Sequence, residues 1–199
     1  MIVTEASEQI HEKLERISQK MKPLDHNVRI EGQNIYLRPI LEEDTDMVLR
    51  WRNSDHVMKN FIYRKPICRS EHLDWLHNKV EKGLVYQFII CDKHDSTPYG
   101  SIYLQNFEEQ HHRAEEGIFL ADDKKIEGRG IGTEAGRLIV DYAFYSLGLH
   151  KLTARVLAYN KASRRMHEKS GYLMEAYLKE ELFLDGKYQD LVLYGALHS

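Results

Sequence analysis

The sequence predicts a mixed, mostly antiparallel α/β sheet of seven strands, flanked by helices and preceded by an extra N-terminal helix. Three observations carry that prediction. Between Val85 and Leu120 three apolar, strand-forming runs are joined by short polar connections, which is the pattern of an antiparallel meander. A glycine-rich loop at 128–132 then opens a helix. Gly148 and Gly171 stand where two later helices should stop.

In chain order, Val3, Ile10, Leu14, Ile17 and Met21 form an amphipathic helical stripe that ends before Pro23. A helix of that length is marginal alone, so it docks on the domain or on a second copy of the chain, which leaves a homodimer open. Residues 1–27 are therefore read as an N-terminal helix and linker, and 28–199 as one domain. The first strand is expected at Asn34 to Ile40. From Leu41 an acidic opening followed by apolar residues at helical spacing predicts a helix. Ser70 is the expected N-cap of a second, with Leu73, Leu76 and Val80 on one face and Gly83 at its end. The meander strands are Val85 to Cys91, Gly100 to Leu104 and Ala114 to Leu120, with turns at Asp92 to Pro98 and Asn106 to His112. A helix over 132–146, a strand over 151–157 and a helix over 161–169 follow. Leu173 to Phe183 and Lys187 to Leu197 close the chain as a hairpin about Asp185-Gly186. The order is β-αα-βββ-α-β-α-ββ.

Composition narrows the function. A formal charge of -3, with acids and bases mixed along the chain, offers no basic face and argues against nucleic acid as principal partner. No run of about 18 apolar residues occurs, so neither membrane insertion nor export is expected, and a cytoplasmic location is the default. Cys68 and Cys91 are too few for a disulfide framework and have no metal-ligand spacing, so no metal is expected.

The chemistry-bearing motif is Gly128-Arg129-Gly130-Ile131-Gly132-Thr133, between a strand and a helix. Backbone N–H groups and the helix dipole converge there on a phosphate, and glycines let it approach. A dinucleotide-binding fold does not fit, because a meander precedes the loop and no βαβ unit opens the chain.

Ala114 to Leu120, the loop at 128–132 and Asn160 to Tyr172 resemble, in order, the fourth strand, the coenzyme A pyrophosphate loop and the last cofactor-contacting helix of GCN5-related N-acetyltransferases. Asp185 to Asp190 resembles that family's final hairpin, and the likeness covers roughly 34–197. It implies acetyl transfer from acetyl-CoA to a small-molecule amine, in a V-shaped opening between the strands at 114–120 and 151–157. It further implies a pantetheine arm along Ile118, Phe119 and Leu120, a pyrophosphate on the amides of about Arg129 to Thr133, Asn160 on the cofactor chain and Arg164 on a phosphate. Glu115 is the implied base, with Glu116 its rival, because a one-residue error in strand phase exchanges the two. The chain departs from the family where Glu127 replaces the usual Gln or Arg of the loop, and where His167 replaces the tyrosine that protonates the departing thiolate. His167 suits proton transfer near neutrality. Water, Tyr159 or Tyr172 are the alternatives, although Tyr172 occupies the place of the family's core phenylalanine.

The acceptor is sought in the N-terminal half, in Trp51, Arg52, Asn53, Met58 and His72, with Phe61, Tyr63 and Trp75 nearby. Trp51-Arg52-Asn53 and the run His72 to Leu76 resemble nucleotide-linked aminosugar N-acetyltransferases of the pseudaminic-acid pathway. Transfer to a protein N-terminus, as in the ribosomal-protein acetyltransferases, and transfer to a polyamine are the next readings. A catalytically silent coenzyme A-binding regulator is a fourth.

Overall fold

The protein is described here by a computed structural model covering residues 22–122 and 126–198, so the expected N-terminal helix lies outside the described residues. The elements are β1 (Ile30–Glu31), β2 (Ile35–Pro39), α1 (Thr45–Arg52), α2 (Asp55–Met58), α3 (Arg69–Trp75), β3 (Tyr86–Asp92), β4 (Pro98–Glu108), β5 (Arg113–Leu120), α4 (Ile131–Asp141), β6 (Lys151–Leu157), α5 (Lys161–Lys169), β7 (Leu173–Leu184) and β8 (Lys187–Leu197). α3 and α4 each run on into a π-helical turn, at Leu76–Val80 and Tyr142–Ser146. The expected element order holds, with small differences. The sheet has eight strands because two residues before the expected first strand, Ile30 and Glu31, pair with Leu37 and Tyr36. Lys22 to Val28 is not a loose tether either: Leu24 is buried in the core and the Tyr86 hydroxyl donates to the Lys22 carbonyl. α3 is capped by Cys68 rather than Ser70, since the Glu71 carboxylate accepts from the Cys68 N–H at 2.8 Å and draws the helix start back. β4 outruns its expected end at Leu104 because a bulge between Gln105 and Glu108, with Asn106 at φ 53°, carries the strand on.

The strand order is β1-β2-β3-β4-β5-β6-β8-β7, antiparallel throughout except for the parallel pair β5–β6. Successive side chains of a strand face opposite ways, and both faces of this sheet are covered. Ile35, Leu37, Phe88 and Ile90 pack with Ile131, Ala135 and Ile139 of α4. Tyr36, Ile89 and Cys91 pack with Val48, Val57 and Leu76 on the face of α1 to α3. This is why β3 is mostly apolar, with Gln87 and the terminal Asp92 as its polar residues: all seven of its residues are buried. Gly148 (φ 67°) and Gly171 (φ 96°) take the left-handed turns that end the helices before β6 and β7.

One irregularity positions the site. β5 and β6 pair only from Arg113↔Lys151 to Glu116↔Ala154, yet β5 continues to Leu120 and β6 to Leu157. Beyond Ala154, β6 keeps β8 as its partner. The two strands therefore diverge, and the edge of Gly117 to Leu120 that faced β6 has no ladder partner.

Candidate active site

A cleft of about 1140 Å³ opens from this divergence and reaches both faces of the sheet. Its cofactor half is made of backbone. Ile118, Phe119 and Leu120 line it along the unpaired edge, where N–H and C=O groups need a partner from outside the sheet. At the far end Gly130 is the N-cap of α4 with φ 74°, and Gly128 has the same φ. A Cβ at either position would meet nothing within 4 Å, so the turn, not crowding by the protein, requires glycine, and the loop is open to a ligand. Gly128, Gly130, Ile131, Gly132 and Thr133 all line the cleft. The first amides of a helix have no intrahelical partner and carry its positive end, which suits a pyrophosphate.

Two expected phosphate contacts are corrected. The Arg129 N–H donates to the Ile126 carbonyl, and its guanidinium turns to the end of β3, donating to Asp92 at 3.0 Å and to the Tyr99 hydroxyl at 2.9 Å. The Arg129 amide is thus taken within the loop, and its side chain anchors the loop to β3. Bonds from the His94 N–H and the Tyr99 hydroxyl, then Arg129, hold the Asp92 carboxyl down at about 2. Arg164 points to the Tyr194 hydroxyl (3.3 Å) and the Ala158 carbonyl (3.4 Å) and does not line the cleft. Asn160 does line it; its side-chain oxygen caps α5 by accepting from the Ser163 N–H at 3.1 Å, which leaves the amide nitrogen to donate. Glu127 stands on the cleft wall beside the loop.

On the opposite face the cleft is walled by Arg52, Phe61, His72 and Trp75. Arg52 is 7% exposed, lies over the Phe61 ring (4.1 Å) and donates through Nη2 to the Tyr63 carbonyl, but its Nη1 has no partner among the described residues. Neither ring nitrogen of His72, 6% exposed, has one. Burial, and then the charge of Arg69, lower its pKa, so the ring is neutral. The other three acceptor-side residues do not reach the cleft. Trp51 packs against the apolar cluster under α1. Asn53 exchanges two bonds with the backbone of Ile67, at 2.8 and 2.9 Å, and so pins the segment before α3. Met58 is half-buried at the end of α2, away from the lining.

Strand phase separates the two glutamates. Glu115 shares its face with Gly117, under the Tyr103 ring, and with Phe119, which packs against Phe61. It accepts bonds from Gln105 and Asn106, each at 3.3 Å, and faces the acceptor helices. Glu116 faces α5, where its Oε2 lies 3.1 Å from His167 Nε2; the side chains are 0% and 3% exposed. His167 Nδ1 lies 2.8 Å from the Ser163 carbonyl, which can only accept, so Nδ1 carries a hydrogen. Burial works to lower the His167 pKa, but the adjoining Glu116 carboxylate and the Ser163 bond outweigh it and the net shift is upward. The Tyr172 hydroxyl bears on the same carboxylate, and burial together with that charge pushes its pKa far up. Tyr159 leaves the list of acids: its hydroxyl meets Arg64 and the Lys59 carbonyl, outside the cleft.

Sequence reasoning did not find the strap around Arg64. Arg64 pairs with Asp185 at the tip of the β7–β8 hairpin and with Tyr159 after β6, tying the segment after α2 to the opposite wall. No local pattern marks residues about 120 apart as partners. The Glu116–His167–Tyr172 contact was also missed, although the alternation of β5 already sends Glu115 and Glu116 to different faces.

Residues 34–173 match the family model described as an acetyltransferase (GNAT) domain. The "Putative ribosomal N-acetyltransferase YdaF" of Bacillus subtilis (strain 168) is 34% identical over 132 residues, 66% of either chain. The spermidine N(1)-acetyltransferase of Escherichia coli (strain K12) is 28% identical over 165 residues, 81% of this chain and 84% of that one. In fold, the protein is similar to the spermidine N-acetyltransferase of Vibrio cholerae, solved with CoA and spermine: the TM-score is 0.76 at 23% identity, over 83% of this chain and 96% of that one. These relatives are named for ribosomal and spermidine acetylation, and they lend no support to the aminosugar resemblance of Trp51-Arg52-Asn53. Among the described residues no helix is long and apolar enough to cross a membrane, and no cluster of His, Cys, Asp and Glu is placed to hold a metal. A helix start open to a phosphate, a strand edge without a ladder partner and the family match over 34–173 lead to one conclusion: the chain belongs to the GNAT acetyltransferase family and is an acetyl-CoA-dependent N-acetyltransferase.

Proposed function

We propose that the acceptor is the α-amine of a polypeptide N-terminus, the reading named for the relative YdaF. The observation that carries it is the pair Arg52 and His72. A buried guanidinium whose Nη1 has no partner among the described residues, and an imidazole on the same cleft wall with none either, call for hydrogen-bonding groups on the substrate. The amides of a peptide supply them, whereas a polyamine would bring positive charge against the buried Arg52. Polyamine transfer is the second reading, favoured by the spermidine-named relatives and by Glu71, Glu115 and Asp122 on the cleft wall.

The proton requirement agrees with an α-amine. At pH 7 a group of pKa ~8 is neutral about one time in ten, against roughly one in 2,500 for a lysine-like amine of ~10.4. Glu115, oriented by Gln105 and Asn106, then need only take the remaining proton directly or through water. The bound acetyl-CoA supplies an activated acetyl group. Gly117 to Leu120 and the start of α4 hold and orient it, with Glu115 on the acceptor face of the same strand. Residues 28–199 form the catalytic domain in this reading.

The test is thiol release from acetyl-CoA with three acceptors: a ribosomal-protein N-terminal peptide, spermidine and a nucleotide-linked aminosugar. The peptide should be turned over, and its α-acetylated form should be inert. Turnover of spermidine alone, or of the aminosugar alone, overturns the proposal in favour of that acceptor.

A further inference from the structure

His167 and Tyr172 converge in the fold on one carboxylate, Glu116. We propose that Glu116 is a positioning residue for acetyl transfer: its buried carboxylate holds the His167 imidazole as the proton donor to the departing sulfur. The inference rests on acetyl transfer itself and does not depend on which amine is the acceptor.

Place and geometry carry the argument. Glu116 is the last residue of β5 paired with β6, so its side chain stands at the point where the strands part. Glu116 and His167 both line the cleft, on the face opposite Glu115. His167 Nδ1 is fixed by the Ser163 carbonyl, which leaves Nε2 as the only ring atom whose proton can come and go. Nε2 is 3.1 Å from Glu116 Oε2, close enough for charge pairing, yet the approach is off the line of a hydrogen bond. The Nε2 hydrogen is therefore held at the carboxylate by charge. A buried ion pair is rarely more stabilising than apolar residues of the same size, so packing alone does not explain one on a cleft wall.

The other groups around the ring are accounted for. From the end of α5, Tyr172 meets it edge-on at 5.2 Å, and from β8 Tyr194 stacks on it at 5.7 Å. Tyr194 carries its own bonds to Arg164 and Glu168. On β6, Arg155 lines the same cleft. Of these, Glu116 is the carboxylate in contact with the imidazole. In the step itself the acceptor nitrogen uses its lone pair to bond the acetyl carbon, and the carbon–sulfur bond breaks with its electron pair on sulfur. His167 gives its Nε2 proton to that sulfur and becomes neutral, while the surplus amine proton leaves through Glu115. Exchange with solvent resets both groups.

The test is the pH profile of thiol release at saturating acceptor, alongside 15N NMR of the imidazoles in the ligand-free protein. His167 is picked out among eleven histidines as the resonance missing from His167→Phe. The wild-type rate should fall as pH rises through the His167 titration. In Glu116→Gln both that limb and the resonance should move to lower pH by about one unit or more, the usual effect of one opposite charge within contact. Glu116→Asp should lie between them, and acetyl-CoA affinity should be unchanged. A folded Glu116→Gln protein that is slower with limb and resonance in place overturns the proposal and makes the pair structural. If Glu116→Gln does not fold, the wild type decides, because a His167 resonance titrating at or below the ordinary ~6.5 overturns it equally.

Discussion

Glu115 and Glu116 are consecutive residues of β5 whose carboxylates stand on opposite faces of the sheet, one beside Gln105 and Asn106, the other 3.1 Å from His167 Nε2. The pleat thus places an acceptor-side carboxylate and a cofactor-side acid–base pair back to back across one strand, at the point where β5 and β6 part. Acetyl transfer needs a proton removed on one side of the acetyl carbon and supplied on the other. In the proposed reading Glu115 takes the first proton and His167, positioned by Glu116, supplies the second.

The phosphate loop gives the first prediction. Acetyl-CoA at a hundredfold excess over its Kd should stabilise the wild type by about 2.7 kcal/mol. Gly130→Ala has room for its Cβ but adopts an unfavourable φ of 74°, so it should lose about 1 kcal/mol of intrinsic stability and keep most of the ligand shift. Gly130→Asp adds a carboxylate beside the pyrophosphate and should abolish the shift. Thermal melts with and without acetyl-CoA distinguish the two variants.

Arg52→Ala and His72→Ala should each raise the acceptor KM about tenfold or more, the usual loss of a hydrogen bond to a charged or buried group. Cofactor affinity should be unaffected, since neither side chain approaches the start of α4. Steady-state kinetics with the peptide acceptor, beside calorimetric titration with acetyl-CoA, would show it. Equal loss in both measurements would mean that the substitutions disturb the fold.

Glu115→Gln should lower kcat/KM by about ten- to a thousandfold, within the span usual for one general base. The loss should be largest at low pH, where few acceptor amines are already neutral, and should shrink as pH rises. A pH-independent loss would assign Glu115 to binding.

Asp92 links loop anchoring to pH. Its folded pKa, about 2, is below the ordinary 3.8, so the stability it contributes is present above the ordinary value and is lost as pH falls through about 2. Asp92→Asn should lose that acid dependence in urea melts between the two values. At neutral pH it should free Arg129 and weaken acetyl-CoA binding through the loosened loop. Unchanged cofactor affinity would show that the loop holds its shape without the anchor.

Most of the element order, the glycine turn at a helix start and the family were legible in the sequence because each rests on local chemistry. Apolar runs mark the meander, Gly128 and Gly130 mark a left-handed turn at a helix start, and Asn160 marks the cap of α5. What the side chains of those motifs do was not legible, because spacing along a chain does not say what lies across from it. The Arg129 amide and Arg164 read as phosphate contacts, but the amide donates to the Ile126 carbonyl and Arg164 turns to Tyr194 on another strand. Trp51 and Asn53 read as substrate contacts, but one fills the core and the other pins a loop. The surroundings of Glu115 and Glu116, and the union of Glu116, His167 and Tyr172, follow only from the packing of α5 against β5. Burial then made one carboxylate the counter-ion of a histidine and left its neighbour facing the acceptor helices.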